Sequence, residues 1–219
     1  MERTATSRAW GLAHHFESFE QQREASYLGM WIFLAQEVMF FGGLFTAYLV
    51  YRLFHPEAFA AGSHELDIVL GAVNTAVLIG SSLTMALAVR AAQLERRKLV
   101  VLFLLATILL GCVFLGIKVV EYGDKFEHGL VPGPHFEWHG EGNPRQVQMF
   151  FNLYFAMTGL HALHMVVGIG ILLVMVWLAW RGAFTRDNHN LVEGMGLYWH
   201  FVDIIWIFLF PLLYLLGRH

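Results

Sequence analysis

"LGMWIFLAQEVMFFGGLFTAYLVYR", residues 28–52, is an almost unbroken apolar run with one carboxylate, Glu37, near its middle. Its length matches the roughly 20 apolar residues that a helix needs to cross the hydrocarbon of a bilayer. A carboxylate at that depth costs roughly 2.5–3.5 kcal/mol on insertion scales, so such a group faces protein or trapped water rather than lipid. Glu37 is therefore expected to be neutral or strongly hydrogen-bonded, with its partner on another helix. A structural hydrogen bond inside a bundle and a functional role both fit it at this point.

The rest of the chain repeats the pattern. Its 219 residues are 57% hydrophobic and only 14% charged, where a soluble domain would carry about 25% charge. Five segments reach spanning length, at about 27–51, 67–89, 99–121, 148–180 and 191–216. None alternates as the strands of a membrane β-barrel do. The expected fold class is all-α: a polytopic membrane helical bundle of five transmembrane helices over residues 27–219, preceded by a polar tail, residues 1–26. That tail has no apolar core of a secretory signal. The fourth span is long enough to tilt or protrude. The loop "EYGDKFEHGLVPGPHFEWHGEGNPRQ" is rich in Gly, Pro and His, so an irregular extramembrane segment is expected, with His128, His135 and His139 solvated.

Basic residues orient the bundle. Arg3, Arg8, Arg23, Arg90, Arg96, Arg97, Lys98, Arg181 and Arg186 fall on one side, against Arg52, Lys125, Arg145 and Arg218 on the other. The positive-inside rule then puts the N-terminus in the cytoplasm and the C-terminus outside. A net charge of −3 without a polybasic patch gives no reason to expect nucleic acid, and the single Cys112 excludes an intrachain disulfide.

Each span carries polar groups. In "NTAVLIGSSLTM", Asn74, Ser81 and Ser82 recur near a period of seven, on one helix face, and read as helix-packing positions. The third span ends in "GIKVVEYGDKFEHG", where Lys118 is expected to snorkel to the outer interface and Glu121, one turn on, to pair with it. "NLYFAMTGLHALHMVVGIG" places Thr158, His161 and Met165 on one face, with His164 a turn beyond His161. In "GLYWHFVDIIWIFLFPLLYL", His200 and Asp203 are neighbours at a spacing of three, so Asp203 would orient His200 or pair with another helix. Pro211 lacks an amide donor and should bend the last helix.

At about 1.5 Å of rise per residue, Glu37, His161 and His200 all fall near mid-membrane, so a hydrogen bond from Glu37 to a histidine could satisfy both. Metal binding has weaker support. "HALH" lacks the glutamate of the zinc-protease signature, and the spans hold too few carboxylates for a di-iron bundle. A haem could use His161 or His164 with His200 on spacing alone.

"LAQEVMFFGGLFTAY", "NTAVLIGSSLTM", "FLGIKVVEY", "TGLHALHMVVG" and "YWHFVDIIWIFLFPLLYL", in this order, resemble subunit III of haem-copper terminal oxidases, in the short five-helix bacterial form. The resemblance runs from about residue 27 to the C-terminus. It implies a bundle lying against catalytic subunit I, with subunit II in the same complex, haem and copper in those partners and none in this chain. It also implies bound phospholipid, residence in the bacterial cytoplasmic (inner) membrane, and association with a respiratory supercomplex as a further option. The implied role is to stabilise the oxidase and support proton uptake during oxygen reduction, with the cytochrome c type favoured over the quinol type. On this resemblance Glu37 falls on a buried glutamate that reacts with carbodiimides, and His161, His164, His200 and Asp203 fall on polar positions of the last two helices. Exposed Phe and Met on spans one and two are expected to face subunit I.

The chain departs from the longer mitochondrial type in lacking its first two helices, which leaves the lipid sites of their cleft open. Lys118 stands where many members have Gln. Other readings remain at this stage: an accessory protein of a nitric oxide reductase, a stand-alone membrane haem or metal protein using His161 and His200, and a proton-coupled transporter built on Glu37. The absence of an evident internal repeat argues against the last.

Overall fold

A computed structural model describes residues 19–134, 136–140, 142–182 and 190–216. The helices are α1 (Phe19–Phe54), α2 (Pro56–His64), α3 (Ile68–Gln93), α4 (Arg97–Glu127), α5 (Pro144–Arg181) and α6 (Asn190–Phe210), the last continued by a π turn at Pro211–Leu215. Five of them, α1, α3, α4, α5 and α6, are long and apolar enough to cross a membrane. The protein is an all-α integral membrane protein.

Helices α1, α3, α4 and α5 outrun their apolar stretches. The 38 residues of α5 amount to about 57 Å at helical rise, nearly twice the ~30 Å hydrocarbon layer, so α5 projects from the bilayer. α4 likewise continues to Glu127, taking the first turns of the expected irregular loop into helix. His128 and His139 are exposed there, and His135 lies outside the described residues. The helix α2 fills a link to which sequence patterning assigned no element. Pro56 starts it with a preset φ, and Phe59, Gly62 and Ser63 are buried against the bundle.

Local sequence sets the ends. Asp67 accepts hydrogen bonds from the amides of Val69 (2.7 Å) and Leu70 (3.2 Å), capping α3. Asn143 caps α5 at the Arg145 amide (3.0 Å), with Pro144 in the first helical position. Gly182, at φ 76°, ends α5 in the left-handed conformation that costs glycine little.

Helices α3, α4, α5 and α6 close a ring, each packing on the next and α6 returning to α3, while α1 leans from outside on α5 and α6. The ring is filled by aromatics: Phe114 meets Trp206 edge-on at 4.8 Å, and Phe59, Phe150 and Phe151 form an edge-to-face stack. α2 comes so close to α5 that a Cβ on Gly62 would fall 2.4 Å from the Phe150 ring.

Candidate functional site

The polar groups of the spans resolve into four separate arrangements. On the outer edge, Glu37 of α1 approaches His164 of α5, with Oε2 3.3 Å from Nε2, and both side chains are largely covered. The approach is not a hydrogen bond of normal geometry. The other ring nitrogen, Nδ1, lies 2.9 Å from the Leu160 carbonyl oxygen. A carbonyl only accepts, so Nδ1 carries a hydrogen and neutral His164 offers a lone pair at Nε2. Glu37 and His164 then face each other favourably only with a proton between them, as acid and imidazole or as carboxylate and imidazolium.

A second arrangement joins α3 to α6. Ser82 Oγ lies 2.6 Å from His200 Nδ1, and Trp199 Nε1 donates to Ser81 Oγ at 3.0 Å. Ser81 in turn donates to the Leu78 carbonyl at 2.8 Å. Asp203, only 3% exposed, lies close to both serine hydroxyls, but neither of its oxygens has a partner of normal hydrogen-bond geometry. It does not hydrogen-bond to His200, its neighbour at helical spacing; the imidazole turns to Ser82 instead. Asn74 is fully buried with both amide atoms unpaired.

The third arrangement corrects the placement of Lys118. Lys118 does not reach the interface: it and Glu121 are each 3% exposed, inside the ring. Its ammonium donates to Glu121 Oε2 (3.0 Å), Tyr154 Oη (3.2 Å) and Tyr214 Oη (2.9 Å). Tyr154 donates to Glu121 Oε1 at 2.7 Å, and Tyr214 donates to the same oxygen. The Trp206 ring lies 5.0 Å from the ammonium. Three donors on the cation and three accepted bonds on the anion make burial tolerable, so snorkelling has nothing to gain. Tyr154 and Tyr214 could not be found from sequence, because an aromatic in an apolar run reads as packing until its hydroxyl has a partner. Beside this cluster Thr158 bonds to Tyr122 (2.6 Å) and to its own helix at Tyr154 (2.7 Å), joining α5 to α4.

The fourth group is His161, fully buried between Phe114 (5.3 Å) and Trp206 (5.2 Å), with neither ring nitrogen hydrogen-bonded. His161 and His200 are thus tied to different surroundings, and Glu37 meets His164 rather than His161. Among the described residues no three His, Cys, Asp or Glu side chains cluster as metal ligands would.

The expectation for Phe and Met on spans one and two divides. Met39 and Phe40 of α1 are 78% and 53% exposed, whereas Met85 of α3 is fully buried.

The chain is similar to known proteins along most of its length. The family model for cytochrome c oxidase subunit III matches residues 146–218. A cytochrome c oxidase subunit 3 of Thermostichus vulcanus is 35% identical over 87% of this chain and 87% of that protein. A probable quinol oxidase subunit 3 of Staphylococcus haemolyticus is 28% identical over 92% and 94%. A cytochrome bo(3) ubiquinol oxidase subunit 3 of Pseudomonas aeruginosa is 29% identical over 86% and 84%.

Proposed function

The chain belongs to the subunit III family of haem-copper oxidases, and from that premise we propose that it is the non-catalytic wall of its complex. It is part of an oxygen-reducing assembly and associates with the other oxidase subunits, with the cytochrome c type favoured. Haem and copper belong, on this proposal, to subunits I and II in the bacterial cytoplasmic membrane. This chain contributes packing area, bound phospholipid, and a hydrogen-bonded, low-dielectric face beside the proton entrance of subunit I. The N-terminus lies inside and the C-terminus outside, and reporter fusions at the two ends check that orientation.

The observation that carries the reading is how the chain spends its chemistry-bearing side chains. Lys118, Glu121, Tyr154, Tyr214, Ser82 and His200 each bond across helices, which fixes the bundle. The Glu37–His164 pair differs, since it lies where peripheral α1 meets the ring and sets a carboxyl against an imidazole. It is the group best placed to support proton delivery to a neighbour.

The test is turnover of the oxidase depleted of this chain, at saturating electron donor, with haem spectra before and after sustained activity. Initial oxygen reduction should persist, and activity should then decay faster than in the intact enzyme. Loss of a haem or copper signal on removal, in proportion to this chain, would overturn the assignment.

A further inference from the structure

We infer that the groove between α3 and α6 receives a transmembrane helix of another subunit, which sets a hydrogen-bond-donating side chain against the Asp203 carboxyl. The inference rests on the chain being an oxidase subunit, and it adds the face and the chemistry of one contact.

The groove begins as a cavity of about 270 Å³ whose walls include Leu78, Ser82, His200 and Asp203. A second cavity, of about 400 Å³, shares His200 with the first and lies between Ala86 and Val89 of α3 and Gly196 and Leu197 of α6, with Tyr27 and Glu193 at its far side. From Glu193 to Ile207 the α6 wall is about 21 Å long at helical rise, most of the ~30 Å hydrocarbon layer. A trough of that length suits a helix better than a compact ligand. Ser82, Ala86 and Gly196 are the small residues of its lining, and α3 and α6 are in close contact there, since a Cβ on Gly196 would fall 2.9 Å from Val89. Small residues are what membrane helices use to approach one another.

Polarity decides the occupant. Neither oxygen of Asp203 has a partner of normal hydrogen-bond geometry although both serines lie near it; Ser81 gives its hydrogen to Leu78, and Ser82 shares one bond with His200. The cavity opens between Ile79, Ile204 and Ile207, which are 55%, 49% and 46% exposed on the outside of the bundle. Lipid tails supply no donor, and intramembrane acids pair within protein. A hydroxyl, amide or basic side chain carried by an apolar partner helix satisfies Asp203 and covers the isoleucines together.

The experiment is site-specific photo-crosslinking in the intact complex, with a benzophenone side chain at position 79 or 207, compared with positions 109 and 167 on other outward faces. Adducts with another membrane subunit from positions 79 and 207 are expected. Lipid adducts alone at those positions overturn the inference. Subunit adducts only from positions 109 or 167 leave the subunit reading standing and sink this one. No subunit adduct from any position, with the chain purifying alone, sinks both. In parallel, Asp203→Asn should stay with the complex as wild type does, while Asp203→Leu should be retained about threefold to tenfold less, the range expected for one interhelical hydrogen bond. The Asp203→Leu chain should still insert in normal amount. Equal retention of both variants would mean that no partner donor meets this carboxyl.

Discussion

Glu37 on α1 and His164 on α5 face each other across 3.3 Å, while the far nitrogen of the imidazole is tied to the Leu160 carbonyl at 2.9 Å. That backbone bond fixes the ring, so the glutamate meets a nitrogen whose orientation does not depend on it. Glu37→Gln retains a donor for the lone pair, whereas Glu37→Leu leaves a covered imidazole nitrogen without one, at a cost of about 1–3 kcal/mol. Retention of the chain in the oxidase after mild detergent should therefore fall for Glu37→Leu and hold for Glu37→Gln. Equal loss would show that the contact contributes nothing to assembly.

The buried pair of α4 predicts an asymmetry. Lys118→Met leaves Glu121 with two tyrosine donors. Glu121→Leu instead strands a buried ammonium and takes the acceptor from both tyrosines. Breaking a buried pair from one side costs about 3–5 kcal/mol, and the glutamate side should be the costlier. The double variant Lys118→Met with Glu121→Gln keeps an amide oxygen for the tyrosines and should recover most of the loss. Thermal denaturation of the detergent-solubilised complex, followed by trypsin sensitivity of this chain, checks the order.

These two clusters mark how far the sequence could be read. The apolar runs give five spans, and a carboxylate in mid-span demands a partner, so the helices and the Glu37–histidine contact were both legible. Which histidine was not, because depth places His161 and His164 within about one helical turn of each other and only packing against α1 separates them. Lys118 was misplaced for a related reason. Counting residues to the end of an apolar run measures distance to the interface but not which way the side chain turns. The hydroxyls of Tyr154 and Tyr214, from α5 and the π turn, make the inward direction the better one. Short α2 escaped notice because nine residues with one buried face give too little periodicity to stand out.

Packing predicts a contrast between glycines. Gly62→Ala would put a methyl 2.4 Å from the fully buried Phe150 ring, an overpacking that costs about 1–3 kcal/mol. Gly116→Ala, inside α4, meets nothing within 4 Å and should be neutral or stabilising by up to about 1 kcal/mol from helix propensity. The same denaturation assay separates them, and similar midpoints would mean that α2 is not seated on α5 as described.

The last turn of the bundle predicts a cost that only the membrane setting explains. Around Pro211 the backbone widens into a π turn that runs to Leu215, and the carbonyls of helix-terminal turns are the ones that call for partners outside the helix. Side chains from elsewhere supply the donors: Tyr48 of α1 bonds to the Leu212 carbonyl and Ser63 of α2 to the Leu213 carbonyl, each at 2.8 Å. Both side chains are fully buried, and a carbonyl left unpaired away from water costs about 1–3 kcal/mol. Tyr48→Phe and Ser63→Ala should each lower the stability of this chain in the complex by about that amount, although each removes a single hydroxyl. Thr46→Ala is the control, since Thr46 bonds only to Gly42 of its own helix, at an exposed position. It should leave the denaturation midpoint unchanged. A Thr46→Ala loss as large as that of Tyr48→Phe would mean that any hydroxyl on α1 matters equally, and that the capping of the last turn is not what holds α1 and α2 to the end of α6.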